Sequence, residues 1–166
     1  MRVQRRRRPE RLVMILLLVV LAIIIAVYGT LWVAQRPMHQ AQKTAYSLAV
    51  SKGKLKTTTA FSQYNGTQSY YVVTGTNKKS TPVYAIINTN KHHQTTVVKK
   101  SAGITRTKAL QKVWSKRNPS KVIKATLGKY NGKVVWEITY LNKKKALCYE
   151  VLQYSNGSQL KSIINI

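Results

Sequence analysis

The sequence predicts an α+β protein: an N-terminal transmembrane helix followed by two units, each one helix packed on an antiparallel sheet of three or four strands. Three observations carry this. Leu12 to Val33 reads LVMILLLVVLAIIIAVYGTLWV without one charged residue. The phrase Tyr-Asn-Gly followed by aromatic and β-branched residues occurs twice, as QYNGTQSYYVVTG from Gln63 and as KYNGKVVWEITYL from Lys129. Each phrase follows a stretch with apolar residues at helical spacing.

The apolar run comes first. At about 1.5 Å per residue it reaches about 33 Å, enough to cross the hydrocarbon core of a bilayer. A cleaved signal peptide has a shorter apolar stretch and small residues before the cut. Here the nearest exit, Trp32-Val33-Ala34, puts a tryptophan where a small residue is needed. A buried helix of a soluble protein would show water a polar face, and this one has none. Arg2, Arg5, Arg6, Arg7, Arg8 and Arg11 crowd the N-terminal flank, which keeps that flank in the cytoplasm. The expected division is a basic cytoplasmic tail (1-11), a membrane helix (12-34), a first extracellular unit (35-101) and a second (102-166). Tyr28 and Trp32 suit an aromatic anchor at the outer interface.

In the first unit, Met38 to Lys52 places Ala41, Ala45, Leu48 and Ala49 at helical spacing, and Gly53 ends the pattern. Strands are expected over 56–64, 67–74, 83–88 and 94–99, with Asn65-Gly66 as a two-residue hairpin turn. The second unit repeats the order. Thr105 to Asn118 is a helix with Thr105 or Thr107 as N-cap, Leu110, Val113 and Trp114 on one face, and Pro119 as its stop. Strands follow over 121–130, 133–141, 146–154 and 158–165. If Lys143 and Lys144 form the turn of the middle hairpin, Trp136 faces Val151, Ile138 faces Tyr149 and Tyr140 faces Leu147. That register also sets Glu137 opposite Glu150.

The chain has 29 Lys and Arg against 3 acidic residues. Setting aside the N-terminal arginines and Glu10 leaves about +21 on the extracellular part, a surface suited to anionic company. Anionic lipid and teichoic-acid polymer fit, and so does a basic surface that is merely solvated. No sequence reader for nucleic acid stands out, and none is expected as a partner. The single cysteine, Cys148, cannot form an internal disulfide and sits in the apolar run ALCYEVL as a small buried side chain.

Groups for chemistry are sparse. There is no aspartate, and the glutamates are Glu10, Glu137 and Glu150. A Glu137–Glu150 pair would have the composition of an acid/base site, but opposed like charges cost stability, and lysines bridging them is the simpler reading. His92 and His93 are adjacent in a polar turn and His39 stands alone, whereas a metal site wants three or four converging ligands. No catalytic residue, metal ligand or cofactor is therefore expected. Asn65-Gly66-Thr67 and Asn156-Gly157-Ser158 fit the glycosylation sequon, but tight turns explain them without glycans.

The anchor Leu12–Val33, the two YNG hairpins, the helix Thr105–Asn118 and the closing YSNGSQLKSI together resemble the cell wall elongation regulator TseB-like family of Gram-positive bacteria, also called YpmB-like. Its units are similar to PepSY domains and have a cystatin-like shape. The likeness covers nearly the whole chain as an order of elements. It departs at Tyr154-Ser155-Asn156-Gly157, where PepSY domains carry an acidic turn and this chain has no carboxylate. The resemblance implies a non-enzymatic, single-pass membrane protein that regulates cell wall elongation by contacting a class B penicillin-binding protein. The alternatives are a basic domain bound to teichoic acid or anionic membrane, and a PepSY-type peptidase inhibitor.

Overall fold

A single long helix, α1 (Pro9–Ser51), opens the computed structural model, which describes residues 9–90 and 92–164. The arginines before Pro9 and the last two residues lie outside those described. Eight strands and a second helix follow: β1 (Leu55–Asn65), β2 (Ser69–Asn77), β3 (Pro82–Asn88), β4 (Thr95–Lys99), α2 (Arg106–Arg117), β5 (Lys121–Tyr130), β6 (Lys133–Leu141), β7 (Leu147–Gln153) and β8 (Gln159–Ile163). The chain divides into two compact units, Met1–Gln40 and Ala41–Ile166.

In the first unit, Arg11–Thr30 has a mean hydropathy of 3.2 and is long and apolar enough to cross a membrane. Its side chains from Leu12 to Ile25 are exposed, as an apolar surface meant for lipid would be. The Arg36 guanidinium lies 4.0 Å from the centre of the Trp32 ring. The expected membrane helix (12-34) and the helical stretch from Met38 are one helix, with Pro37 inside α1. A proline costs a helix about 3 kcal/mol, and the Ala- and Gln-rich residues beyond it are good helix formers that carry the helix on.

The second unit contains two four-stranded antiparallel sheets, ordered β1-β2-β3-β4 and β5-β6-β7-β8. The expected helix-plus-sheet repeat is borne out. Its hinges repeat too: Asn77-Lys78-Lys79 turns β2 into β3, and Asn142-Lys143-Lys144 turns β6 into β7. In each, the asparagine Oδ1 accepts two backbone N–H groups, at 2.9 and 3.0 Å, from Lys79 and Thr81 or from Lys144 and Ala146. Ser80 and Lys145 take the left-handed conformation that closes each loop.

This loop corrects the middle hairpin's register by one residue. Trp136 pairs with Leu152, Ile138 with Glu150, Tyr140 with Cys148 and Glu137 with Val151. A one-residue slip moves a strand's side chains to the other face, so Glu150 joins the Trp136–Ile138–Tyr140 face and Glu137 points away from it. The two YNG phrases also fold differently. Asn131 and Gly132 both have positive φ and form a two-residue turn between Tyr130 and Lys133. Asn65-Gly66 does not form the expected turn; a three-residue loop of Gly66, Thr67 and Gln68 joins paired Asn65 and Ser69. The Tyr64 side chain lies over Gly66, where a Cβ would come within 2.4 Å of its hydroxyl.

The first sheet is covered on both faces. Ala45 and Ala49 at the end of α1 pack on Leu55, Val73, Val83, Ala85 and Ile87. The other face adds Tyr64, Tyr70, Val72 and Ile86 to a core shared with Leu127, Trp136, Ile138 and Tyr154 of the second half. Tyr84 meets Trp136 and Tyr154 edge-on, with ring centres 6.1 and 6.3 Å apart. Helix α2 is capped by Thr105 Oγ1, which accepts from Lys108 N, and ends at left-handed Asn118. It buries Ala109 and Val113, while Trp114, expected in the core, is 46% exposed. Positions 109, 113 and 117 are four apart, so they define the inward stripe and leave Trp114 at its edge.

Strand β5 slots against the first sheet at Gly128. A Cβ there would fall 2.3 Å from the Tyr64 ring. Gly128→Ala is expected to destabilise this unit by about 2 kcal/mol through overpacking. Combining it with Tyr64→Ala is expected to cost less than the two changes added, and chemical unfolding of the four proteins measures that coupling.

Candidate functional site

Three places gather polar side chains in the two-sheet unit: an ion pair under α2, a cleft on the far face of the second sheet, and an open groove beside α2. The ion pair is built by the inward stripe of α2. Arg117 follows Val113 by one turn, and its Nε donates to Glu150 Oε2 at 3.0 Å. Arg117 Nη2 donates to Ser162 Oγ at 3.0 Å, and Ser162 Oγ donates to Glu150 Oε2 at 3.1 Å. Glu150 is 2% exposed, so its charge is sustained by these contacts. The sequence reading assigned Glu150 to bridging lysines and missed Arg117. Its place on the 109–113–117 stripe was the available signal.

Glu137 lies in the cleft, which has a volume of about 240 Å³ and is lined by Tyr64, Tyr130, Tyr149, Lys161 and the Asn65–Thr67 loop. The pairing rows place Thr126, Glu137, Val151 and Lys161 side by side across β5 to β8. Burial raises the Glu137 pKa, while a hydrogen bond with Tyr64 and the charges of Lys124 and Lys161 pull it back. Burial also pushes the Tyr64 hydroxyl well above its ordinary value, with Glu137 adding to the effect. Glu137 and Glu150 lie on opposite faces, so these carboxylates cannot share a proton or flank one bond.

That raised carboxyl has a signed consequence. An acid whose pKa is higher folded than unfolded binds more protons when folded in the interval between the two values. Its contribution favours the fold below that interval and is lost as pH rises through it. Between the ordinary 4.5 and the raised value, stability is expected to fall with pH relative to a Glu137→Gln chain. Thermal unfolding of both chains over about pH 4 to 7 measures the difference, and parallel curves would contradict it.

The other sequence candidates do not converge. His93 Nδ1 lies 3.1 Å from Asn88 O within its turn, and His92 offers its carbonyl to Lys52 Nζ at 2.9 Å. His39 is exposed on α1. Cys148 is buried, with Sγ 3.6 Å from Ala146 O. Asn156 sits in the expected turn, whereas Asn65 ends β1, paired with Ser69. Among the described residues, no three of His, Cys, Asp and Glu lie together as metal ligands would.

What remains is surface. β1, β4, β5 and β8 each pair with one neighbour only, and β5 packs against β1, β2 and β3, with Lys124 Nζ on Gln63 O and Gly128 against Tyr64 in the later part of β1. β1 has the longest such edge, and Thr57, Thr59 and Ala60 along it are exposed. A strand edge offers backbone N–H and C=O groups to a partner, so recognition through contact is what this architecture can do.

Comparison with known proteins gives a consistent picture. Residues 44–88 match the family model described as the cell wall elongation regulator TseB-like domain. The chain is 30% identical over 98 residues to the probable cell wall elongation regulator TseB of Bacillus subtilis (strain 168), covering 59% of this chain and 61% of that protein. The match thus spans about three fifths of that relative's length. The solved structure of the YpmB protein from Bacillus subtilis superposes with a TM-score of 0.67 at 26% identity, covering 74% of this chain and 95% of that one.

Proposed function

We propose that this chain, a TseB/YpmB-like protein, regulates cell wall elongation without catalysing a reaction, by binding a class B penicillin-binding protein at the outer face of the cell membrane. The observation that carries the reading is the TseB-like match over 44–88, which covers the end of α1 and the first three strands. The apolar segment Arg11–Thr30 supplies the single-pass anchor, and its arginine-rich N-terminal flank fixes the tail in the cytoplasm.

The separation of Glu137 and Glu150 onto opposite faces supports a role through contact. Tyr64, Val72, Leu127 and Trp136 join the two sheets in one core, and the opening of about 240 Å³ left between the sheets has Ala60 of β1 at its lining. The exposed start of β1, inside the matched region, is the natural place, with the partner's strand or loop pairing along Thr57–Ala60.

A photoreactive residue in place of Thr59 in the full chain, expressed in growing cells, tests this. The expected crosslink is to a class B penicillin-binding protein. A crosslink to another protein only, or none from the whole β1 edge, would overturn the placement.

A further inference from the structure

The open groove beside α2 has the Arg117–Glu150 ion pair at its base and lies away from the β1 edge. It has a volume of about 380 Å³ and runs between α2 and the β7–β8 turn. Lys112, Ser115 and Lys116 form one wall; Gly157, Ser158 and Gln159 form the other; Arg117 and Glu150 lie at its base.

Its charge balance is one-sided. Glu150, the only carboxylate lining it, is already matched by Arg117 and Ser162. That leaves Lys112 and Lys116, one helical turn apart, without an acidic counterpart in the groove among the described residues. Lys116 Nζ is held by Gln159 Oε1, which stations its charge at the mouth. Lys112 packs its stem where Gly157, at φ +73°, leaves room; a Cβ there would meet Lys112 Cε at 2.7 Å. Arg117 spends Nε and Nη2 on Glu150 and Ser162, and among the described residues Nη1 makes no hydrogen bond. Ser158 lines the wall opposite α2, while the Ser115 hydroxyl donates to Lys112 O at 3.1 Å. Two ammonium groups, a guanidinium N–H and the Ser158 hydroxyl around an open concavity make a donor set for a tetrahedral oxyanion.

We propose that this groove binds a phosphodiester group, drawn from an anionic wall polymer or from a lipid headgroup. Lys112 and Lys116 supply the neutralising charge, and Ser158 orients a phosphate oxygen. The site is independent of the protein contact proposed above, since it lies on α2 and β8 and not on β1.

The test titrates the full chain, held in an uncharged detergent, with poly(glycerol phosphate) and separately with short-chain phosphatidylglycerol, at about 0.15 M salt. The Lys112→Gln/Lys116→Gln chain should lose about tenfold in affinity for the true source, the scale of lost hydrogen bonds to a charged group. The charge-matched control is Lys78→Gln/Lys79→Gln in the exposed β2–β3 turn; it should lose less than about threefold, as expected of screened charges alone. Groove-dependent loss with the polymer names the polymer as source, and loss with the lipid alone names the lipid. Equal loss in both variants, or no binding of either probe by the unaltered chain, overturns the site.

Discussion

Arg117→Met is expected to destabilise the two-sheet unit by about 3 kcal/mol, the scale for stranding one partner of a buried ion pair. The asymmetry of the pair sets the size. Arg117's side chain is 22% exposed and Glu150's 2%, so it is the carboxylate that would be left without water or a counter-charge. Ser162 Oγ would remain as its donor, which is weaker than the guanidinium. Removing Glu150 instead leaves an arginine that can swing outward, and Glu150→Leu is expected to cost only about 1 kcal/mol. The double change Arg117→Met/Glu150→Leu should lie close to the unaltered protein, because apolar residues of similar volume replace a buried pair at little loss. Denaturant unfolding of the four chains in detergent reads this cycle. Equal costs for the two single changes would contradict the burial asymmetry.

Trp136→Ala is expected to cost about 4 kcal/mol and to weaken both sheets. Trp136 is 4% exposed, meets Tyr84 of the first sheet edge-on, and donates from Nε1 to Ile104 O at 2.9 Å. Its removal empties a position where both repeats and the linker between them meet. Tyr154 ties the same place down, donating its hydroxyl to Lys99 O and Lys100 O at 2.7 and 3.1 Å; burial raises its pKa to about 12. Hydrogen exchange should therefore accelerate in β2 and β3 as well as in β6 and β7. Faster exchange in the second sheet alone would mean that the two repeats are stabilised separately.

The element order was legible because each local signal agreed with its neighbours. Periodicity located α2 and the strands to within a few residues, and Asn131-Gly132 forms the turn its residues favour. The sheets' partner was harder to read. Val83 to Ile87 reads VYAII without alternation, the mark of a strand buried on both faces, and β3 is sandwiched between α1 and the second repeat. Reading each unit as closed by its own helix missed that second cover. The Glu137–Glu150 pairing rests on a two-lysine turn, whereas Asn142 starts a longer loop by accepting from two backbone groups. One residue of slip separated two carboxylates into different sites and hid Arg117.

The asparagine-led loops show why such slips are avoidable. Asn-Lys-Lys occurs after each central strand, and a side chain that accepts two amides fixes a loop's length regardless of its lysines. The exposed Trp114 has a related origin: an aromatic on a short helix suggests a core, but its rotation is set by the smaller Ala109 and Val113, which fit closest to the sheet.

The most direct test of function by contact is isolation of the full-length protein from crosslinked membranes, washed at low and at high salt. The account predicts that a class B penicillin-binding protein stays bound at high salt, because recognition through a strand edge does not depend on screened surface charge. Recovery of wall polymer or lipid alone, released by salt, would contradict it and leave the chain's positive charge as the basis of its binding.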